Sequence, residues 1–332
     1  MRKKAAGRGT IAIGQRGAGA GETGVDVKLW QAALGAAAAG AAVYAAVRYR
    51  ETLEFYWRLW GAQREAEAFY ATCPTLAKNI AYSPRTTQRL DVYRPDTGSN
   101  WPVLVYVYGG SWNGGRKELY APAAQRLLPE GALIVIADYT LYPAAGYPTQ
   151  TQEIAAALAW TLDHAAEYGG DPRRVVVVAQ SAGAHVAALA LLDPQFLAAH
   201  GHSAAEVRGF FGISGVYDIE TQLAHERSKG RSGQYVVDVM GGRQNLAAAS
   251  PSTFVSAAAP RTKLIHGDRD NTVPLRMSVE FHERLRAAGA QSEFTLYPGG
   301  GHSGILFDAL AQNPSRLLTN IAQFMRACTE DT

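Results

Sequence analysis

Cysteine is scarce in this sequence, since only two of its 332 residues are cysteines. Cys73 and Cys328 form at most one disulfide, which excludes a disulfide-rich scaffold and leaves open whether the two pair. No group of Cys and His has the spacing of zinc ligands, so we expect no structural zinc site. Charged residues make up 18% of the chain and hydrophobic residues 47%. This composition excludes an intrinsically disordered protein and suits one large α/β domain or two small ones.

A surplus of positive charge is confined to the start of the chain. Residues 1–28 carry six lysines and arginines but only two acids, a net charge of +4. The whole chain has a net charge of +3, so residues 29–332 together carry −1. This larger part lacks the surplus of cations that binds nucleic-acid phosphates, and we expect no nucleic-acid partner.

Three segments are predicted to precede the large domain at 76–332. Residues 1–26 are basic and glycine-rich, which is typical of a flexible arm. Residues 27–50 contain an uncharged run of 18 residues, 30–47, which is long enough to cross a membrane although ten of its residues are alanine. We therefore expect a membrane-anchor helix, with an alanine-rich helix on the domain or on a bilayer surface as the alternative. Residues 51–75 are aromatic-rich and predict an amphipathic connector that ends near Cys73.

The same N-terminal region also predicts where in the cell the protein is located. An anchor at 27–50 predicts a membrane-associated protein of the endoplasmic reticulum or another endomembrane. Residues 1–21 are basic and contain no acid, which leaves a mitochondrial presequence as the alternative. Cations flank the apolar run on both sides, so the sequence gives no membrane orientation.

Residues 76–332 show short apolar runs that alternate with helical patterns. The runs 103–107 and 132–137 are continuously apolar, as is typical of strands buried on both faces. Further strands are predicted at 88–93, 174–178, 207–213, 263–265 and 294–297, and helices at 151–168, 182–192, 275–288 and about 306–325. This alternation predicts an α/β fold with a mainly parallel sheet and helices on both faces. Residues 219–250 break the alternation and predict a small inserted lid.

A serine stands where one predicted strand meets the next helix. Residues 178–184, with the sequence VAQSAGA, predict a sharp strand–turn–helix that lifts the Ser181 hydroxyl above the sheet. Strand and helix approach closely there, and Ala179 and Gly183 supply the small residues that this approach needs. The alternative is an ordinary serine cap of a strand–helix turn.

An acid and a histidine follow this serine, each just after a predicted strand. Asp268 and Asp270 lie in the loop after 263–265, and His302 lies in a glycine-rich loop after 294–297. The carboxyl ends of parallel strands meet at one edge of the sheet, where sites form in open α/β folds. The order predicts a Ser–Asp–His triad with either aspartate as the acid. Turn-forming acids and a surface histidine are the alternative.

A pair of glycines follows the predicted strand 103–107. In the sequence YGGSW, at 108–112, the glycines allow backbone N–H groups to turn toward a developing oxyanion. A plain glycine loop is the alternative. The position after a central strand and before the serine favours the oxyanion function.

Together these motifs resemble the α/β-hydrolase fold, in the esterase branch marked by His-Gly-Gly-x-Trp, over about residues 78–326. In that branch the motif's histidine supports the loop and backbone amides bind the oxyanion; here Tyr108 replaces the histidine. The resemblance implies an oxyanion hole formed by the amides of Gly110, Ser111 and Ala182, with Tyr108 and Gly109 as loop support. The branch's His-Gly-x-x-Asp-x-x-Val-Pro pattern matches residues 266–274, which implies that Asp270 is the triad acid and Asp268 a loop residue.

A narrower resemblance concerns the substrate. Residues 180–185 and the predicted lid are similar to isoprenylcysteine methylesterases, which are membrane-bound and remove the methyl ester from prenylated cysteines. Kynurenine formamidases share the same core motifs. The sequence therefore predicts a serine hydrolase of small or lipidated carboxylic esters that needs no metal or organic cofactor, with Ser181, Asp270 and His302 as its catalytic residues. The alternatives are an arylformamidase and a catalytically silent, membrane-tethered binding scaffold.

Overall fold

The centre of the fold is an eight-stranded sheet, seen in a computed structural model that describes residues 50–306 and 315–330. The strands are β1 (Leu76–Ala81), β2 (Arg89–Tyr93), β3 (Trp101–Val107), β4 (Leu133–Ala137), β5 (Gly170–Gln180), β6 (Val207–Ile213), β7 (Arg261–Gly267) and β8 (Ser292–Tyr297). Their order is β1-β2-β4-β3-β5-β6-β7-β8. Strand β2 runs antiparallel to β1 and β4, and the other pairs are parallel. The predicted mainly parallel α/β sheet is confirmed.

The helices connect these strands. They are α1 (Arg50–Thr72), α2 (Ala121–Leu127), α3 (Thr149–His164), α4 (Ala182–Leu192), α5 (Pro194–Ala198), α6 (Ile219–Ser228), α7 (Gln234–Val239), α8 (Arg276–Ala287) and α9 (Arg316–Thr329). The sheet lies in the compact unit that begins at residue 55. Helices α6 and α7 lie within 219–250, where the sequence predicts a lid.

The core positions the strand ends at which the predicted site residues lie. Strands β3 and β4 are buried over five consecutive residues each, as their apolar runs predict. Helix α4 follows β5 after a single residue and is buried over its first ten residues. Seven of its eleven residues are alanine, glycine or valine. These small side chains allow the helix to lie close to the strands beneath it.

Three differences from the sequence predictions concern edges and ends. Strand β1 is half exposed and irregularly paired with β2, so its residues lack the apolar pattern of a buried strand. The short helix α2 was also not predicted. Helix α9 begins only at Arg316, where the Ser315 side chain accepts a hydrogen bond from the Leu318 amide, and it extends past the predicted end. Residues 307–314 of the predicted helix lie outside the described residues.

The connector predicted at 51–75 is helical. Helix α1 ends at Thr72, one residue before Cys73, as expected. Trp57 and Trp60 remain 72% and 51% exposed, and their rings meet edge to face at 5.5 Å. In the described ranges no helix is both long and apolar enough to cross a membrane. The arm at 1–26 and the anchor at 27–50 lie outside those ranges, except that α1 begins at Arg50, the last residue of the predicted anchor.

Candidate active site

Ser181 occupies the turn between β5 and α4. Its backbone has φ +53° and ψ −124°, a conformation that costs energy in a residue with a side chain and is typical of a nucleophile at a sharp strand–helix turn. Its amide donates to the Ile213 carbonyl at 2.9 Å. A Cβ at Gly183 would lie 2.3 Å from the Tyr108 carbonyl oxygen, so only glycine fits there. The methyl group of Ala179, in contrast, is fully buried in β5 without loss of the strand.

Ser181, His302 and Asp270 lie in one hydrogen-bonded chain. His302 Nε2 is 2.7 Å from Ser181 Oγ, and His302 Nδ1 is 2.7 Å from Asp270 Oδ2. With the proton on Nδ1 the imidazole donates to the carboxylate and accepts from the hydroxyl. This arrangement allows His302 to take the proton of Ser181 when the hydroxyl attacks a carbonyl carbon.

Both oxygens of Asp270 accept hydrogen bonds from neighbouring groups. The amides of Thr272 and Val273 donate to Oδ1, each at 2.9 Å. Oδ2 faces His302 and also the buried His266, whose Nε2 is 3.2 Å away. Burial raises the pKa of Asp270, but the hydrogen bonds from His266 and His302 outweigh it and hold that pKa well below its usual range. The carboxyl group is therefore ionised whenever the triad operates.

Asp268 lies in the same loop but does not join the chain. Its Oδ1 accepts a hydrogen bond at 2.7 Å from the Gly299 amide, and the backbone amide of Arg269 donates to the Gly300 carbonyl at 3.0 Å. These contacts fasten the aspartate-bearing loop to the loop that carries His302. The structure therefore brings Asp270, and not Asp268, to the histidine.

The segment 108–112 approaches Ser181 closely and turns sharply. Gly110, Ser111 and Trp112 all have positive φ, at 130°, 50° and 62°. A Cβ at Gly109 would lie 2.8 Å from Ser181 Cβ, so a side chain there would displace the serine. Among the described residues, none accepts a hydrogen bond from the amides of Gly110 or Ser111. These donors are free to bind an oxyanion beside Ser181.

Tyr108 fastens the beginning of this segment to the end of β4. Its hydroxyl donates to Asp138 Oδ1 at 2.7 Å, and the same oxygen accepts from the Lys117 amide at 2.7 Å. The ring stacks between Tyr120 and Tyr139, with centroids 5.1 and 5.2 Å away. Burial and the nearby Asp138 raise the pKa of Tyr108 well above its usual value, so the phenol stays a donor. Asp138 thus holds both ends of the loop from 108 to 117.

Trp112 fastens the other end through His185, a residue for which the sequence predicts no role. The indole N–H donates to His185 Nδ1 at 3.0 Å, and His185 Nε2 donates to the Ala249 carbonyl at 2.7 Å. Burial lowers the pKa of His185 to about 4, so the ring is neutral. His185 lies one helical turn after Ser181, and this spacing is the signal that could have placed it beneath the site. His266 was likewise missed as a partner of the triad acid.

A cavity of about 500 Å³ opens beside Ser181. The apolar part of its lining consists of Trp112, Ala182, Val216, Gly233, Tyr235, Val236 and Val273. The polar part consists of Ser111, Gln222, Glu226, Arg231, Ser232, Asn271 and Thr272. Residues of the predicted lid therefore line the same cavity as the serine, and Ser111 and Ala182 from the predicted oxyanion hole lie on its wall.

The sheet order, the strained serine turn and the hydrogen-bonded Ser–His–Asp chain together define an α/β-hydrolase. A solved structure, esterase B from Lactobacillus rhamnosis, has the same fold, with a TM-score of 0.69 and 19% identity over 86% of this chain and 96% of that one. The BD-FAE family model matches residues 90–285, which is more than half of the chain. The chain belongs to the BD-FAE family.

Curated relatives extend this likeness over most of the chain. A probable isoprenylcysteine alpha-carbonyl methylesterase of Oryza sativa subsp. japonica is 31% identical over 280 residues, which cover 80% of this chain and 66% of the relative. Esterase LipQ of Mycobacterium tuberculosis is 33% identical over 256 residues, which cover 72% of this chain and 59% of that one. The chain thus spans less than two thirds of the length of either relative.

Proposed function

We propose that this protein is a serine hydrolase that cleaves carboxylic esters. The observation that carries the proposal is the hydrogen-bonded chain from Ser181 through His302 to Asp270, with 2.7 Å at each step, at the wall of a cavity. The named esterases among the relatives support the same chemistry. A silent binding scaffold would have no use for a buried, ionised and hydrogen-bonded acid behind its histidine.

The geometry gives each residue a defined step. Ser181 Oγ bonds to the ester carbonyl carbon while its proton passes to His302 Nε2, and Asp270 stabilises the resulting imidazolium. The carbonyl oxygen becomes an oxyanion that the amides of Gly110, Ser111 and Ala182 bind. His302 then returns the proton to the departing alkoxide, which leaves as the alcohol. Water then gives a proton to His302 and attacks the acyl carbon; the bond to Ser181 Oγ breaks, His302 returns the proton to Oγ, and the acid is released.

Loss of the Ser181 hydroxyl tests this proposal. Ser181→Ala should reduce hydrolysis of 4-nitrophenyl acetate by several orders of magnitude, because Ser181 Oγ is the group that forms the acyl-enzyme. Adding His302→Ala to it should cost little more, since the two residues act as a unit. Ser232→Ala, which removes a hydroxyl from the same cavity, should leave kcat/KM within about twofold. Wild-type rates in Ser181→Ala would refute the proposal.

Two more specific substrate classes are candidates for this enzyme. The relatives named isoprenylcysteine methylesterases support the methyl ester of a prenylated cysteine. The polar half of the cavity lining supports a smaller, polar substrate, such as the N-formylkynurenine of an arylformamidase. Comparison of kcat/KM for farnesylcysteine methyl ester, N-acetylcysteine methyl ester and N-formylkynurenine separates them. A clear preference for the farnesylated ester supports the first, a preference for the formamide supports the second, and equal values leave a general esterase.

We also propose that the N-terminal region attaches the protein to an endomembrane such as the endoplasmic reticulum. The support is the uncharged run at 30–47 in the sequence and the two exposed tryptophans, Trp57 and Trp60, on the helix that follows. Tryptophan is enriched where proteins meet the membrane–water interface. Arg64 lies over the Trp60 ring at 4.9 Å and adds a cation beside this aromatic pair.

A further inference from the structure

The predicted lid carries an ion pair that lines the cavity beside Ser181. Between residues 225 and 231 there are three cations, Arg227, Lys229 and Arg231, and one acid, Glu226. Of these charged residues, Glu226 and Arg231 belong to the cavity lining. The esterase reaction uses neither side chain, so their presence in the lining calls for another explanation.

The guanidinium of Arg231 has N–H donors that its ion pair with Glu226 does not use. Its Nη2 donates to Glu226 Oε1 at 3.0 Å and its Nε contacts Glu226 Oε2, so the acid occupies one edge of the fork. A guanidinium has five N–H donors on two such edges, and the second edge can bind another carboxylate. Nη1 has no partner among the residues that the structure describes. The side chain is 52% exposed, so this edge is accessible.

The ion pair is also held in place from beneath. Gln222 is buried, and its Nε2 donates to Glu226 Oε1 at 3.2 Å and to the Thr272 carbonyl at 3.0 Å. Thr272 belongs to the loop that holds Asp270, so the chain of contacts ties Arg231 to the triad loop. Lys229 lies outside the lining but donates to Oδ1 of the lining residue Asn271 at 3.2 Å.

We infer that Arg231 determines specificity by binding a carboxylate, or a similar anion, on the part of the ester that does not react. This rests on the proposed esterase function. A planar guanidinium already oriented by Glu226 and Gln222 loses little freedom when it binds a second carboxylate. Neutral esters of the same length gain nothing from it, so Arg231 separates the two kinds of substrate.

The test compares two substrates that differ at one group. Mono-4-nitrophenyl adipate carries a carboxylate where 4-nitrophenyl hexanoate carries a methyl group. Arg231→Gln should lower kcat/KM for the adipate about tenfold, the contribution of one charge-assisted pair, and change that for the hexanoate less than twofold. Arg231→Lys keeps the positive charge but not the planar pair of N–H donors. Its kcat/KM for the adipate should lie between those of the wild type and Arg231→Gln. The tenfold effect should shrink at 0.5 M salt because the pair is partly exposed.

Arg227→Gln is the matched control, since it removes the same charge from an exposed position of helix α6 outside the cavity lining. It should leave both substrates nearly unchanged. The inference is overturned if Arg231→Gln affects both esters equally or neither, if Arg227→Gln has the same effect, or if the wild type does not hydrolyse the adipate. In each case Ser181-dependent hydrolysis of the hexanoate would leave the esterase proposal intact. Hydrolysis of neither ester would refute both.

Discussion

At the scale of single residues, the environment of a side chain decides which of two similar groups can act. Asp268 and Asp270 are two residues apart, but Asp268 is exposed and holds a loop amide, whereas Asp270 is buried and accepts three hydrogen bonds. One of these comes from His302, and His266 Nε2 lies 3.2 Å from the same oxygen, so the carboxylate stays charged and fixed against His302. The ability to orient the imidazole therefore belongs to one position only.

Exchange of each aspartate for asparagine tests this assignment. Asp270→Asn should lower kcat by about 10⁴-fold, because an amide in place of the carboxylate favours the wrong tautomer of His302. Asp268→Asn keeps an oxygen that can accept from the Gly299 amide and should cost less than about threefold. The two variants are compared with 4-nitrophenyl acetate at pH 8. A larger loss in Asp268→Asn would mean that the acid has been misassigned.

His185 should make stability depend on pH. Its pKa is about 4 in the folded protein and near 6.5 in the unfolded chain, so only the unfolded state binds this proton between those values. The free energy of unfolding should therefore fall, by roughly 3 kcal/mol at most, as the pH falls from about 6.5 to about 4.

Urea unfolding of wild type and His185→Gln at pH 4.5 and 6.5 measures this. The glutamine does not titrate, so the variant should be less stable at pH 6.5 but lose less stability on acidification. An equal loss in both proteins would contradict the account. A reduced kcat in the variant would also be expected, since His185 holds Trp112 in the segment 108–112, which carries the proposed oxyanion amides.

At the scale of elements, the segment 108–112 is held by contacts from three sides. Tyr108 attaches it to Asp138 at the end of β4, and Trp112 attaches it to His185 on α4. From α7 in the predicted lid, the Tyr235 hydroxyl donates to the Ser111 carbonyl. Three successive residues with positive φ are held in place by this set of contacts. The replacement of the branch's histidine by Tyr108 thus keeps a hydrogen-bond donor at the start of the loop.

Tyr108 and the nearby Tyr106 of β3 give a matched test of the hydrogen bond from the Tyr108 hydroxyl. Tyr108→Phe keeps the ring stacking but removes the donor to Asp138, and kcat should fall about three- to tenfold with little change in KM, because the amides that bind the oxyanion shift. Tyr106 also packs against Tyr120, but its buried hydroxyl has no hydrogen-bond partner in the described part of the chain. Tyr106→Phe should therefore be nearly neutral. Equal losses in both variants would remove the hydrogen bond to Asp138 from the explanation.

The sequence predicts best those elements that are fully buried, because such elements show continuous runs of apolar or small residues. Apart from His185 in α4, strands β3 and β4 and helix α4 consist of apolar, aromatic or small residues, as expected where both faces are covered. Strand β1 has no such pattern because it lies at the sheet edge, half exposed. The same logic applies in part to the site: Ser181 follows the buried end of β5, whereas His302 lies in a glycine-rich loop after the partly exposed edge strand β8, and both could be found from the sequence. His185 and His266 are buried partners whose contacts form only in three dimensions.

At the scale of the whole molecule, catalysis and attachment are assigned to different parts of the chain. The family match covers residues 90–285, and the triad lies between 181 and 302. The predicted anchor at 27–50 precedes all of these residues. Location and chemistry should therefore be separable by removal of the N-terminal residues.

Fractionation of cells that express the protein tests this separation. The full chain should sediment with membranes, and residues 51–332 alone should stay in the supernatant while keeping the esterase activity. Sodium carbonate should release the full chain if the N-terminal helix lies on the bilayer surface, and it should fail to do so if the helix spans the bilayer. Full-length protein in the supernatant after lysis would refute the attachment.

Labelling with a fluorophosphonate tests the central claim most directly, because the reagent forms a covalent bond only with an activated serine. The full-length wild-type protein should gain the mass of one phosphonyl group, located by peptide mass spectrometry on Ser181. Ser181→Ala should gain none, heat-denatured wild type should gain none, and Asp270→Asn should react far more slowly. Labelling that persists in Ser181→Ala, or a wild-type protein that hydrolyses esters without being labelled at Ser181, would contradict the account.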